Sequence, residues 1–167
     1  AWDGVKKMKV DAIQMGFAFI KATEGTGYTD PQFNRNWKKA KQAGIIRGAY
    51  HFFTPPRDGK AQATNFIREV ELDEGDFPPV LDVEQLNGTP VTQLKRELKE
   101  WLNLVEAHYG VKPIIYTNVD FYNRFLGETF DEYPLCVAHY YQPVQPRIGR
   151  GWLFWQHSDR GRANGIV

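Results

Sequence analysis

Two carboxylates carry the clearest chemical signal. Asp82 and Glu84 stand one residue apart in Pro79-Val80-Leu81-Asp82-Val83-Glu84, whose β-branched content and leading prolines predict a strand. On a strand, residues i and i+2 project to one face, roughly 6.6 Å apart along the backbone at a rise of about 3.3 Å per residue. Burying two carboxylates side by side raises the pKa of at least one, leaving a protonated acid beside an anion. Glycosidic cleavage needs that pair: an acid for the leaving oxygen and an anion for the cationic transition state. The spacing lies between the roughly 5 to 5.5 Å of retaining enzymes and the wider range of inverting ones, and leaves the stereochemistry open. The competing reading is a strand-end pair neutralised by Lys21 or Arg47, since structural ion pairs also perturb pKa values.

Other polar and aromatic residues fall at the ends of predicted strands. They are Lys21 after the first, Tyr50 and His51 in the second, and Tyr116 and Asn118 after the fourth. His139 and Tyr140 follow the fifth, and Gln156 and His157 the last. In parallel α/β barrels the carboxyl ends of the strands form the site face, so these groups are expected to share a pocket with Asp82 and Glu84. Tyr50, Tyr116 and Tyr140 each offer an apolar face and a hydroxyl, which suits stacking on sugars. A metal centre built from His51, Asp82, Glu84, His139 and His157 is the main chemical competitor. No His-x-His or His-Glu-x-x-His spacing supports it, so no metal is expected. Cys136, flanked by Leu135 and Val137, reads as a buried small hydrophobe. Ser158 is the only serine and lacks a nucleophile elbow.

The elements that position these groups alternate. Phe17 to Ile20 reads as a strand, and Asp30-Pro31 as the N-cap and first position of a helix with the stripe Phe33, Trp37, Ala40, closed by Gly44. Ile45 to Phe53 is the next strand, and Asp58 opens a helix carrying Ala63, Phe66, Ile67 and Val70. After the carboxylate strand, Thr89-Pro90 opens a helix running from Val91 to Val105 at helical spacing, and Gly110 ends it. Ile114 to Tyr116 is a strand, Val119 to Phe125 a short helix, and Leu135 to Ala138 and Trp152 to Gln156 are the last strands. This βαβα order implies a parallel sheet with right-handed crossovers. A doubly wound sheet is compatible with it, but six visible strands favour a barrel. Ala1 to Lys7 reads as a helix start, and Gly165 to Val167 as the beginning of an apolar strand.

Composition narrows the classes of function. The 21 Lys and Arg against 20 Asp and Glu give a net charge of +1, which offers nucleic acid no basic footprint and a membrane no polybasic anchor. No apolar run approaches the roughly 20 residues of a membrane span. The 14% aromatic content excludes intrinsic disorder, and a single Cys excludes an internal disulfide. No signal-peptide pattern is present.

The segments Phe19-Ile20-Lys21-Ala22-Thr23-Glu24-Gly25, Asp30-Pro31-Gln32-Phe33 with Asn36, and Gly48-Ala49-Tyr50-His51-Phe52 resemble the family 25 glycoside hydrolases, a family of lysozymes. The likeness continues through Gln62-Ala63, Pro79 to Glu84, Pro113 to Thr117, Val137 to Tyr140 and Trp155-Gln156, in order along almost the whole chain. The resemblance implies a modified TIM-like α/β barrel with eight strands and about five helices. It also implies retaining muramidase activity on the β-1,4 bond after N-acetylmuramic acid in peptidoglycan, without metal or organic cofactor. By the same resemblance Glu84 would be the general acid/base, and Asp82 would stabilise the transition state or orient the substrate's N-acetyl group. Tyr50, Tyr116 and Tyr140 would line the sugar groove, with Lys21, His51, Asn118, His139 and Gln156 as further substrate contacts. The expected protein is an extracytoplasmic monomer acting on glycan strands.

The family places two further acids in its site, one before the first helix and one after the Trp-Gln strand. Asp3 and Asp159 do not fit those places. Complete barrels typically run to about 250 residues, so 167 residues are read as one catalytic domain lacking its first and last strands. A chitinase of the family 18 type also carries Asp-x-Glu at a strand end, but adds an Asp where this chain has Val80. A non-catalytic glycan-binding barrel is the alternative from another class.

Overall fold

A computed structural model describes residues 9–10 and 13–161, so the helix start expected at Ala1 to Lys7, Asp3, and the strand expected at Gly165 to Val167 lie outside the described residues. β1 (Lys9–Val10) and β2 (Ile13–Gln14) form a separate antiparallel pair. The main sheet contains β3 (Phe17–Glu24), β4 (Tyr28–Thr29), β5 (Ile46–Phe52), β6 (Val80–Asp82), β7 (Ile114–Asn118), β8 (Leu135–Ala138) and β9 (Phe154–Gln156). Its order is β4-β3-β5-β6-β7-β8-β9, parallel throughout except that β4 folds back on the end of β3. Three full helices, α1 (Phe33–Gln42), α2 (Gly59–Glu69) and α3 (Val91–Tyr109), fill the crossovers. The expected short helix from Val119 to Phe125 is present as one α-helical turn, α4 (Val119–Phe121), continued by a π-helical turn (Tyr122–Leu126) and then a 3-10 turn that ends at Phe130. No described helix is long and apolar enough to cross a membrane.

The six parallel strands expected from the sequence are the six observed. The eight strands and five helices of a complete barrel are not: the described residues form a seven-stranded curled sheet. The curl is visible in its ends. Phe17 and Phe19 of β3 each lie 5.3 Å, ring centroid to centroid, from Phe154 of β9, although four strands separate β3 from β9 in the sheet.

Strand alternation then sorts side chains onto two faces. Ile20, Ala49, Leu81, Val83, Ile115 and Val137 point to the convex face and build the main core with Phe66, Leu98 and Trp101 of the helices. Val80, Ile114 and Cys136 point inward and make a small second cluster against Phe19, Tyr50, Tyr116 and Phe154. Arg47 of β5 is buried on the convex side, its guanidinium 3.9 Å from the Trp37 ring centroid. It binds Asp76 at 2.7 and 2.9 Å and Asp73 at 2.7 Å. Arg47 therefore ties down the loop before β6 and does not neutralise the carboxylate pair.

Two helix starts differ from the reading by capping residues. Asp30 accepts the Gln32 amide in a turn ahead of α1, whose N-cap is Gln32, because Asp30-Pro31 are still turning off β4. Pro90, not Thr89, is the N-cap of α3, and the Thr89 hydroxyl is buried without a partner among the described residues. Asp58 caps α2 as expected, accepting the Ala61 amide at 2.7 Å, and left-handed Gly110 ends α3.

The first turn of α2 lies directly against α3. A Cβ at Gly59 would sit 2.0 Å from the Glu97 carbonyl oxygen. Because that obstacle is backbone, Gly59→Ala is expected to destabilise the fold by about 2–3 kcal/mol, read as a lower denaturant midpoint. An unchanged midpoint would show that the two helices are not locked at this contact.

Candidate active site

The concave face encloses a cavity of about 540 Å³ at the carboxyl ends of the strands. Phe17, Phe19, Phe154 and Cys136 form its apolar depth, and Tyr50, Asp82, Glu84, Tyr116 and Gln156 its polar part. Parallel register explains the gathering. Tyr50 pairs with Val80, Asp82 with Tyr116, Cys136 with Phe154, and Ala138 with Gln156, so inward positions of successive strands come level.

Asp82 is the last residue of β6 and only 8% exposed. Its carbonyl accepts the Phe53 amide at 2.9 Å. Val83 is held from one neighbour: its amide donates to the Tyr116 carbonyl at 2.9 Å, and its carbonyl accepts the Thr117 hydroxyl at 2.6 Å. That double tie carries the chain in extended form past the end of β6 and returns Glu84 to the concave face beside Asp82. Burial, then the adjacent Glu84 charge and a hydrogen bond with Glu84, push the Asp82 carboxyl up to about 8, against the opposing pull of Lys21. Asp82 Oδ1 has no protein partner among the described residues. The site therefore holds a proton at neutral pH next to a second carboxyl group.

The aromatic hydroxyls stay neutral. Burial, reinforced by Asp82 and other nearby acids, pushes Tyr50 up to about 12. Burial likewise raises Tyr116, whose hydroxyl donates to Gln156 Oε1 at 2.6 Å. The Cys136 thiol is pushed up to about 12 by burial, so it acts as apolar lining rather than as a nucleophile.

Of the residues singled out from the sequence, Tyr50, Asp82, Glu84, Tyr116 and Gln156 line the cavity. Tyr140 is half-buried and near enough to Tyr116 to share a hydrogen bond with it. Lys21 stands on the rim, bonded to Glu24 at 2.7 Å and lying over the Tyr28 and Phe52 rings.

Tyr140 and Lys21 do not line the cavity itself, and neither do three others. Asn118 spends its side-chain oxygen capping α4 through the Phe121 amide. His139 accepts the Arg147 amide on Nδ1, and its ring is held by the following loop. His51 is a correction by parity: next to inward Tyr50, it must face outward, and it is fully buried against Trp101 at 5.7 Å between ring centroids. No three His, Cys, Asp or Glu side chains among the described residues gather where they could share a metal ion.

Phe17, Phe19, Phe154 and Trp155 also line the cavity; the three phenylalanines were not expected there, because a short apolar run gives no sign of which face its members meet. The parity of Tyr50 and Asp82 through the strand register was the signal that could have found Phe19 and Phe154. Trp155 lines the wall, donating to the His139 carbonyl at 2.9 Å, while Trp152 packs edge-on behind it.

A paired-carboxylate cavity walled by aromatics at the strand ends is one that several hydrolase families could share, so whole-chain comparison decides the lineage. Residues 1–166 match the model of glycosyl hydrolases family 25. The chain belongs to that family. It is 47% identical over 165 residues to YegX of Escherichia coli K12, covering 99% of this chain and 61% of that protein. It is 36% identical over 185 residues to Lysozyme M1 of Streptomyces globisporus, covering 99% of this chain and 62% of that protein. The chain thus spans about three fifths of these two relatives. A solved family 25 glycosyl hydrolase from Bacillus anthracis superposes with a TM-score of 0.87 at 32% identity, over 98% of this chain and 76% of that one.

The raised Asp82 carboxyl has a measurable consequence. Its folded-state pKa of about 8 lies above the ordinary 3.8, so folding takes up a proton and stability falls as pH rises between those values. His51 has the opposite sign: burial lowers it from 6.5 to about 4, so its contribution is lost as pH falls through that window. In the difference between parent and Asp82→Asn, His51 cancels. The variant is expected to match the parent near pH 4 and to exceed it by on the order of a few kcal/mol at pH 8, measured by chemical denaturation. A difference that stays flat across this range would show that Asp82 ionises freely.

Proposed function

We propose that this chain carries the catalytic site of a peptidoglycan hydrolase, a lysozyme that cleaves the β-1,4 bond between N-acetylmuramic acid and N-acetylglucosamine. The observation that carries the reading is the buried Asp82–Glu84 pair, with a retained proton, inside an aromatic-walled cavity in a family 25 chain. Similarity to Lysozyme M1 supports the choice of substrate.

The pair's retained proton passes across the Asp82–Glu84 hydrogen bond to Glu84, the more open of the two carboxyl groups. Glu84 delivers it to the glycosidic oxygen as the bond to the anomeric carbon breaks, which leaves Asp82 ionised. Glu84 then takes a proton from the incoming water, the exchange of roles that microscopic reversibility requires of one acid/base residue. Asp82 lies deeper, stabilising the positive charge that develops on the sugar or orienting the N-acetyl group as an internal nucleophile. Tyr50 and Tyr116 supply neutral stacking faces and hydroxyls, with Tyr140 and Gln156 at their edge. We assign retention of configuration on the strength of family membership. The substrate lies outside the cytoplasm, and the protein is placed there with it.

Glu84→Gln keeps the shape and removes the group that delivers the proton. It is expected to lower the rate of turbidity loss of purified cell walls by at least about a hundredfold, with co-sedimentation on walls retained. Equal clearing by both proteins would overturn the acid assignment; binding without clearing by either would favour a glycan-binding barrel. The stereochemistry is read separately: proton NMR of the first product is expected to show the β-anomer, and an initial α-anomer would exclude retention.

A further inference from the structure

The polar side chains buried behind the cavity do not belong to the chemistry just described. Gln62 and Asn65 lie one turn apart on the inner face of α2, at 0% and 1% exposure. A buried amide is tolerated only where its donors and acceptors are met. Here nearly all of those partners are backbone atoms of two rim loops.

Gln62 holds the loop after β5. Its Nε2 donates to the Thr54 carbonyl at 3.3 Å and the Arg57 carbonyl at 3.1 Å, and its Oε1 accepts the Thr54 amide at 2.9 Å. The same Oε1 lies 3.2 Å from His51 Nε2. Because a side-chain amide oxygen only accepts, His51 carries its proton on Nε2, and Nδ1 accepts the Thr23 hydroxyl at 2.7 Å. Burial keeps that ring neutral, as this pattern requires.

Asn65 holds the loop between β3 and β4. Its Nδ2 faces the carbonyls of Gly25 at 3.1 Å, Tyr28 at 3.2 Å and Glu24 at 3.5 Å. Its Oδ1 accepts from exposed Arg68 Nη2 at 2.9 Å, which fixes the amide so that the donor side points at the loop. The two loops are themselves joined, since the Gly25 amide donates to the Phe52 carbonyl at 3.2 Å.

We propose that Gln62 and Asn65 are positioning residues for glycan binding: two amides on one helix that fix the rim of the cleft at the ends of β3 and β5. The rim they hold bears the Lys21–Glu24 pair, Phe52 beneath it, and Tyr28, which is 49% exposed. Asp82 and Glu84 sit on the next strand, whose own ties to β7 do not pass through α2. Loosening the clamp therefore weakens capture of the glycan strand and leaves the bond-breaking groups in place. The inference rests on the hydrolase reading for its substrate.

The test compares Asn65→Ala and Arg68→Ala with the parent on solubilised, reduced glycan oligosaccharides. Asn65→Ala is expected to raise KM about fivefold to tenfold with kcat within about twofold. Arg68→Ala, a surface change that does not threaten folding, is expected to move KM the same way by about twofold to threefold. Hydrogen–deuterium exchange over residues 24–29 is expected to speed up in both variants, while residues 80–84 stay protected. A merely structural role would lower the melting temperature and the active fraction, reducing apparent kcat at unchanged KM; that result in both variants overturns the proposal. Unchanged exchange over residues 24–29 in both also overturns it, whatever the activity. A parent with no turnover, alongside faster loop exchange in the variants, would refute the hydrolase reading and leave the clamp itself supported.

Discussion

Asp82 is buried beside a second carboxyl group with no lysine or arginine bonded to either among the described residues, and the rest of the architecture answers to that arrangement. The nearby cations are engaged elsewhere: Lys21 with Glu24, and Arg47, on the far face of the sheet, with Asp73 and Asp76. An unpaired buried carboxylate is costly to ionise, and the protein accommodates it by retaining the proton. Structural ion pairs perturb carboxyl groups downward, as Asp73 shows, lowered first by its hydrogen bond to Lys41. Asp82 goes the other way. A shift in that direction is unfavourable for folding at neutral pH, so the pair is held at a cost in stability.

Holding such a pair requires a backbone that does not give. β6 has only three residues of regular pairing, yet it lies in the middle of the sheet with parallel partners on both sides. Val83 extends the pairing through the Tyr116 carbonyl and the Thr117 hydroxyl, and its side chain is buried in the main core. The apolar residue between the two acids is therefore as necessary as the acids. It anchors to the helices on one face what Asp82 and Glu84 present on the other.

Much of this was legible in the residues. The six parallel strands, the Asp58 cap, the Gly110 stop and the inward pair all follow from local rules about periodicity, caps and alternation. What escaped depended on information a single segment lacks. His51 and Tyr50 are adjacent and both polar enough for a site, and only the register, together with α2 and α3 behind the sheet, decides that one faces the cavity and the other Trp101. Phe17 and Phe19 are not marked as cavity lining in the sequence because an apolar run looks the same whether it is covered by helices or faces a cavity. The α1 start was misplaced because Asp30 and Pro31 follow immediately on a two-residue strand that still has to turn.

The two faces of the sheet divide the work by the kind of polar group each tolerates. The concave face leaves Asp82 Oδ1 without a protein partner among the described residues, an opening toward whatever enters the cavity. The convex face closes its polar groups instead: Thr23, His51 and Gln62 form a chain in which each proton has one destination, and Asn65 meets three carbonyls. Burial keeps the histidine in that chain neutral, and its Nδ1 then accepts the Thr23 hydroxyl. The same burial that raises Asp82 lowers His51, so one low-dielectric interior sets the proton on the acid and removes it from the base. Between about pH 4 and pH 6.5 the two effects oppose each other in stability, and the fold carries a titrating carboxyl pair with less net dependence on pH than either group alone would impose.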